Sequence, residues 1–278
     1  MFGLPRMPTL DLQDGARLHV ESAGQGPALL AVHGWSRSGA DLASLLARLP
    51  GRRTLALDLR GHGRSAAGPL DLDLLAGDLA AAAEALAVER AVLLGWSLGG
   101  QVALAALARH PTLRRRVAGL ALLSSTPRFT ASDDWPHGLP PRSLDGLAAK
   151  VRRRPLEAFP GFFDGCFAEG ELDEAARFRL APLREAPAPD LACALAGLRL
   201  LGTADLRGEL AALAGAALPV LVVHGGADPI CPPGAGRALA AAFPGARLVT
   251  LPGAGHAPFL TRETEGAAAL RAFAEAVA

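Results

Sequence analysis

Cysteine is scarce. The 278 residues contain three, Cys166, Cys193 and Cys231, widely spaced and in no Cys-x-x-Cys or Cys/His pattern. That argues against a disulfide framework and a zinc site, and it fits a reducing, cytoplasmic home. Neither sign of charge is in excess: 28 Lys+Arg against 27 Asp+Glu leave a formal +1. There is no global basic field to hold nucleic acid or a membrane surface. Long hydrophobic runs are missing too. The longest uncharged stretches, Ala91 to Ala108 and Leu210 to Ala227, are interrupted by glycines, and the second by Pro219. Both fall short of the roughly 20 apolar residues of a spanning helix. The opening Met1-Phe2-Gly3-Leu4-Pro5-Arg6 lacks the apolar stretch of a signal peptide. No fixed-period repeat is present, which removes solenoids and propellers. Lys150 is the only lysine, a compositional bias without mechanistic meaning.

Half the residues are hydrophobic and a fifth charged, the balance of an ordered globular chain. The length suits one large α/β domain or a core with a sizeable insertion. Thr9 to Gln13 and Ala16 to Ser22 flank Asp14-Gly15, a hairpin signal. Short apolar runs follow: Leu29 to His33, Thr54 to Asp58, Ala91 to Gly95, Gly119 to Ser124, Val220 to His224 and Arg247 to Leu251. They read as buried parallel strands. Amphipathic helical segments lie between several of them, including Leu72 to Leu86, capped by Asp71, and Leu98 to Arg109, ended by Pro111. This alternation predicts a mostly parallel sheet flanked by helices. It lapses between about Ser125 and Gly202, where Pro, Arg, acidic residues and the cluster Phe159, Phe162, Phe163 and Phe167 replace apolar strand runs. The expected organisation is a core of residues 1–124 and 203–278 with a helical cap inserted at 125–202.

Gly95-Trp96-Ser97-Leu98-Gly99-Gly100 contains Gly-x-Ser-x-Gly directly after a strand run and before a helical pattern. That context is what a nucleophile elbow requires. A serine hydroxyl is a weak nucleophile and needs a base oriented by a third group. With the chain order nucleophile, acid, base, the candidates are Asp228, after the run ending at His224, and His256, after the run ending at Leu251. Their bland readings are a turn aspartate before Pro229 and a loop histidine. The other histidines, His33, His62 and His224 among them, do not follow the last strand. His33-Gly34-Trp35 follows the first core strand, and the expected oxyanion donors are the backbone N–H groups of Trp35 and Leu98. Gly61-His62-Gly63-Arg64-Ser65-Ala66 matches a dinucleotide-binding string. It opens no clear helix, so a tight turn stabilised by Asp58 and Ser65 is expected instead.

Through His33-Gly34-Trp35, Asp58 to Ser65, the serine elbow, Asp228 and His256, nearly the whole chain resembles the α/β-hydrolase superfamily. Finer matches point within it to the pimeloyl-[acyl-carrier protein] methyl ester esterases of biotin synthesis. They are Ser124-Ser125-Thr126-Pro127 with Phe129, Asp133-Asp134-Trp135-Pro136, Gly197-Leu198, Thr203 to Arg207, and His256-Ala257-Pro258-Phe259. The resemblance implies a cofactor-free, metal-free serine esterase, acting as a monomer on an acyl-carrier protein or on small-molecule esters. It implies an acyl channel lined by Trp35, Trp96, Leu98, Phe129, Phe159 and Phe163. A carrier-protein contact at Arg152, Arg153 and Arg154 is implied as well, although residues 125–202 carry ten basic and eleven acidic residues and form no basic platform as a whole. Two alternatives remain open at this point: a broad-specificity short-chain carboxylesterase or lactonase, and a hydrolase-fold binding protein with little turnover.

Overall fold

In the computed structural model, which describes residues 9–12 and 15–277, the apolar runs assemble into one eight-stranded sheet. The strands are β1 (Thr9–Asp11), β2 (Arg17–Ala23), β3 (Ala28–Val32), β4 (Arg53–Leu57), β5 (Ala91–Trp96), β6 (Val117–Leu123), β7 (Val220–Gly225) and β8 (Arg247–Leu251). They lie in the order β1-β2-β4-β3-β5-β6-β7-β8. β1 with β2 and β2 with β4 are antiparallel, and every other pairing is parallel. The hairpin expected at the start is the β1–β2 pair, while Gln13 and Asp14 of its turn, like Met1 to Arg6, lie outside the described residues.

All residues of β3, β5 and β7 are buried, because helices cover both faces of a parallel sheet. The pleat sends neighbouring side chains to opposite faces. Thus Leu30 and Val32 join one apolar cluster, and Leu29 and Ala31 join the other. The helices are α1 (Ala43–Ala47), α2 (Leu72–Ala85), α3 (Leu98–Arg109) and α4 (Pro111–Arg116), followed between β6 and β7 by α5 (Pro141–Arg153), α6 (Pro155–Asp164), α7 (Glu174–Arg184), α8 (Leu191–Thr203) and α9 (Arg207–Ala214). After β7 come α10 (Pro233–Ala242), α11 (Pro258–Thr261) and α12 (Glu263–Ala276). Leu79 of α2, Val102 of α3 and Leu239 of α10 pack on the first face, and Leu45 of α1 and Leu270 of α12 on the second. The Asp71 carboxylate caps α2 by accepting from the Leu74 N–H at 2.8 Å. Pro111 both follows the end of α3 and opens α4, a first-turn position where its missing N–H costs nothing.

In α5, Leu144 and Val151 turn inward while Arg142, Lys150, Arg152 and Arg153 face solvent. In α6, Ala158, Phe159 and Phe163 are the buried face. Residues 58–66 form a turn and not a helix start. Asp58 accepts from Gly39 N–H (2.7 Å) and Arg64 N–H (2.9 Å), and the Ser65 hydroxyl donates to the Asp58 carbonyl (2.6 Å). Among the described residues no helix is long and apolar enough to cross a membrane. The parallel strands β3, β5, β7 and β8 all end at one sheet edge, where α/β sheets gather their sites.

Candidate active site

Ser97 stands between the end of β5 and the start of α3 with φ 55° and ψ −118°. A non-glycine residue held there costs on the order of 1–3 kcal/mol, and the surroundings enforce it. The Ser97 N–H extends the sheet ladder to the Leu123 carbonyl (3.0 Å), and the Gly100 N–H returns to the Ser97 carbonyl (2.9 Å). A Cβ at Gly95 would meet Gly100 Cα at 2.5 Å, and one at Gly99 would meet the Val32 carbonyl oxygen at 2.3 Å. Only glycine on both sides lets the turn close. The Ser125 hydroxyl donates to the Ser97 carbonyl (2.9 Å), a support that the Ser124-Ser125-Thr126-Pro127 string hinted at without a role.

Asp228 and His256, from the loops after β7 and β8, meet directly. His256 Nδ1 lies 2.9 Å from Asp228 Oδ2 and 3.1 Å from Oδ1, and both residues are buried. Asp228 Oδ1 also accepts from the Ile230 and Cys231 N–H groups, each at 2.8 Å. These bonds fix the orientation of the carboxylate. His224 Nε2 lies 3.4 Å from Asp228 Oδ2 and donates to the Cys231 carbonyl (2.8 Å). Burial lowers its pKa, against the pull of Asp228, so it braces the acid's loop as a neutral group. The Trp96 indole N–H donates to the His256 carbonyl (3.0 Å), which fastens the histidine beside the elbow. Ser97 and the His256 ring are not hydrogen-bonded to each other; such contacts tighten once substrate is bound.

Histidine at position 33 has a function the sequence did not announce. Its Nε2 accepts from the Leu59 N–H (2.9 Å), which leaves the proton on Nδ1, and that N–H donates to the Gly34 carbonyl (2.7 Å). Burial lowers its pKa to about 4, so the ring is neutral at physiological pH. In a trans peptide the C=O and N–H point in opposite directions. Pinning the Gly34 carbonyl therefore aims the Trp35 N–H away from the His33 ring. The Trp35 side chain is buried, donates from its indole N–H to the Ala194 carbonyl of α8 (2.8 Å), and meets Phe162 edge-on at 4.8 Å and Phe159 at 6.0 Å between ring centres.

The structure gathers Trp35, Leu98, Phe129 and Phe159 in one apolar cluster. Trp96 and Phe163 belong to the cluster on the opposite face, where Phe163 packs on Phe167 and under the Arg37 guanidinium at 4.5 Å. Arg152, Arg153 and Arg154 are all exposed. Among the described residues no group of three or more His, Cys, Asp or Glu side chains is disposed to hold a metal ion.

The model of the alpha/beta hydrolase fold matches residues 27–263. The chain belongs to the α/β-hydrolase family. It is 39% identical over 268 residues to the pimeloyl-[acyl-carrier protein] methyl ester esterase of Stenotrophomonas maltophilia strain K279a, covering 94% of this chain and 97% of that protein. It is 37% identical over 270 residues to the protein of the same name from Xanthomonas oryzae pv. oryzae strain MAFF 311018, covering 94% of this chain and all of the relative. Among solved structures it is similar to an esterase from Exiguobacterium antarcticum, with a TM-score of 0.88, 26% identity, and coverage of 96% of this chain and 98% of that one. The sheet order, the strained serine and the acid and histidine loops of this α/β hydrolase thus sit in a chain whose full-length relatives carry ester-hydrolase names.

Proposed function

We propose that the chain is a serine carboxylesterase that hydrolyses the methyl ester of pimeloyl-[acyl-carrier protein], releasing methanol. What supports the substrate is likeness over nearly the whole length to proteins of that name. The chemistry rests on the buried Asp228–His256 pair beside the strained Ser97. Ser97 Oγ attacks the ester carbonyl while His256 Nε2 takes its proton, and Asp228 holds Nδ1–H so that the free lone pair faces the nucleophile. The oxyanion forms against the Trp35 and Leu98 N–H groups, aimed by the His33 pin and by the start of α3. His256 then protonates the departing methoxide. A water deprotonated by His256 attacks the acyl-enzyme, and Ser97 leaves with the proton returned.

Residues 125–202 serve as the cap in this reading. Their Arg152, Arg153 and Arg154 face solvent next to Leu156, which is 87% exposed. An exposed apolar side chain two residues beyond a run of three exposed arginines suits an acidic carrier domain, where aliphatic and arginine anchors dominate recognition. The deciding experiment compares kcat/KM for the carrier-bound methyl ester and for a short p-nitrophenyl ester, with Ser97→Ala as the blank. A preference for the carrier-bound ester, reduced when Arg152 and Arg153 are changed to Glu while the short ester is spared, is the expected result. Activity confined to the short ester would discard the assigned substrate and keep the triad.

A further inference from the structure

The loop that carries His256 is held from two sides: the Ala227 N–H after β7 donates to the Ala254 carbonyl (2.9 Å), with Gly225 of β7 closely approached by the Gly255 carbonyl, and the stretch between α6 and α7 grips it from the other side. The His256 N–H donates to the Cys166 carbonyl (2.6 Å) and the Gly255 N–H to Glu171 Oε2 (2.8 Å). The same Oε2 accepts from the Ala168 N–H (2.7 Å), and Oε1 accepts from the Thr261 hydroxyl (2.5 Å). Four residues further along, in α11, the Leu260 carbonyl accepts from Arg179 Nη2 (3.0 Å), and Arg179 Nη1 pairs with Glu263 (2.7 Å). Cys166, Ala168 and Glu171 lie between α6 and α7, and Arg179 is on α7. All are in the helical stretch between β6 and β7, remote in sequence from the loop they grip.

The approach is close. A Cβ at Gly255 would lie 2.4 Å from the Cys166 carbonyl oxygen and 2.8 Å from Glu171 Oε2, so the two backbones touch without side chains between them. Cys166 and Phe167 on one side of the seam share a buried apolar cluster with Ala254, Ala257, Phe259 and Leu260 on the other, and at its polar edge a cavity of about 440 Å³ is lined by Glu171, Asp173, Ala176, Arg179, Thr261 and Arg262. Among the described residues, Glu171 is the one side chain hydrogen-bonded both within the 166–171 loop and to Gly255 and Thr261.

We infer that Glu171 is a positioning residue for the base: its carboxylate fixes the backbone entering His256, so the helical stretch that meets the acyl carrier also sets the aim of the imidazole. The inference rests on the reading of His256 as the base. Its ring is fixed by Asp228 at Nδ1 and its carbonyl by Trp96. Its N–H donates to the 166–171 loop, where Glu171 also binds the preceding Gly255 N–H. A displacement of about 1 Å at a reacting group can cost on the order of a hundredfold in rate. The role is geometric and not electrostatic. A glutamine can place its amide oxygen against the Gly255 and Ala168 N–H groups and donate its NH2 to the Thr261 hydroxyl, which then accepts.

The test measures kcat and KM of the full chain on p-nitrophenyl butyrate, with active sites counted by a fluorophosphonate, in the wild type, Glu171→Ala, Glu171→Gln and Thr261→Val. The expected result is a fall in kcat per titrated site of roughly tenfold to a hundredfold in Glu171→Ala, with KM within about threefold. Glu171→Gln stays near wild type, and Thr261→Val, which removes one of the carboxylate's donors at nearly constant volume, falls between. Unchanged kcat per site in Glu171→Ala overturns the inference. So does equal impairment of the Ala and Gln variants with unaltered melting, since that assigns the effect to charge. Failure of the underlying reading registers elsewhere, as a wild type that resists the fluorophosphonate or a His256→Ala variant that keeps its rate.

Discussion

Replacing His33 by alanine separates the oxyanion donor from the rest of the machinery. The substitution removes two buried hydrogen bonds, Nδ1–H to the Gly34 carbonyl at 2.7 Å and the Leu59 N–H to Nε2 at 2.9 Å. The Leu59 N–H is left without its acceptor in a buried position, at a cost of about 1–3 kcal/mol. The vacated imidazole volume adds a cavity term of similar size, for a total loss of about 2–5 kcal/mol. The Gly34 carbonyl keeps only the Arg37 N–H, at 3.2 Å, so its peptide plane can rotate and carry the Trp35 N–H with it. Outright removal of one oxyanion donor costs about a hundredfold to a thousandfold in kcat. A donor that is loosened and not deleted should cost about tenfold to a hundredfold. Urea unfolding reads the first quantity, and steady-state hydrolysis of a short p-nitrophenyl ester, divided by fluorophosphonate-titrated sites, reads the second free of any unfolded fraction. A variant that loses stability yet keeps its kcat per site would show that the Gly34 pin is purely structural and that Trp35 N–H does not face the oxyanion.

Asp228→Asn should lower kcat by about 10⁴. The Ile230 and Cys231 N–H groups claim an oxygen at the Oδ1 position, which turns the amide NH2 toward His256 Nδ1 and forces the wrong tautomer; a near-normal rate would reassign the acid. Stability should decline with acidity above the carboxylate range. Burial holds His33 at about 4 and His62 at about 3, below the 6.5 of an unfolded imidazole, so the unfolded chain takes up protons first. This contribution is fully present above about pH 6.5 and is lost as pH falls toward 4, with His33 alone worth on the order of 3 kcal/mol. Urea midpoints at pH 7.5, 6 and 5 that do not change would contradict it. Gly255→Ala should reduce kcat at least about tenfold, because its methyl group must displace the Cys166 carbonyl; wild-type kinetics in that variant would mean the seam yields freely.

The sheet could be read from sequence because strands buried on both faces, such as β3, β5 and β7, leave uninterrupted apolar runs. β8 and α3 fall at the residues their patterns indicate, although β8, at the sheet edge, leaves Arg247, Leu248 and Thr250 exposed where a buried strand is expected. The elbow was readable for a different reason, since Gly95, Ser97 and Gly99 are each imposed by contacts within six residues or by one neighbouring strand. What escaped depends on partners far away in the chain. His33 looks like any strand-end histidine until Leu59 is placed against it. Glu171 lies in a stretch with no periodic pattern, and its value comes from Gly255, 84 residues later. Phe159 and Phe163 share a helix face by spacing, yet the sheet divides them between two clusters, a separation that aromatic content alone does not encode.

The sequence contains no tyrosine and three tryptophans, and each indole N–H is bound to a backbone carbonyl: Trp35 to Ala194, Trp96 to His256 and Trp135 to Arg128. Fluorescence excited at wavelengths beyond phenylalanine absorption therefore comes only from indoles, two of which sit at joints of the proposed site. A motion that parts α8 from the oxyanion loop would hydrate Trp35 and redden its share of the spectrum, while Trp96, at the end of a central strand, would stay dry. The unlabelled protein thus carries its own optical test of whether α8 parts from residues 33–35 during turnover.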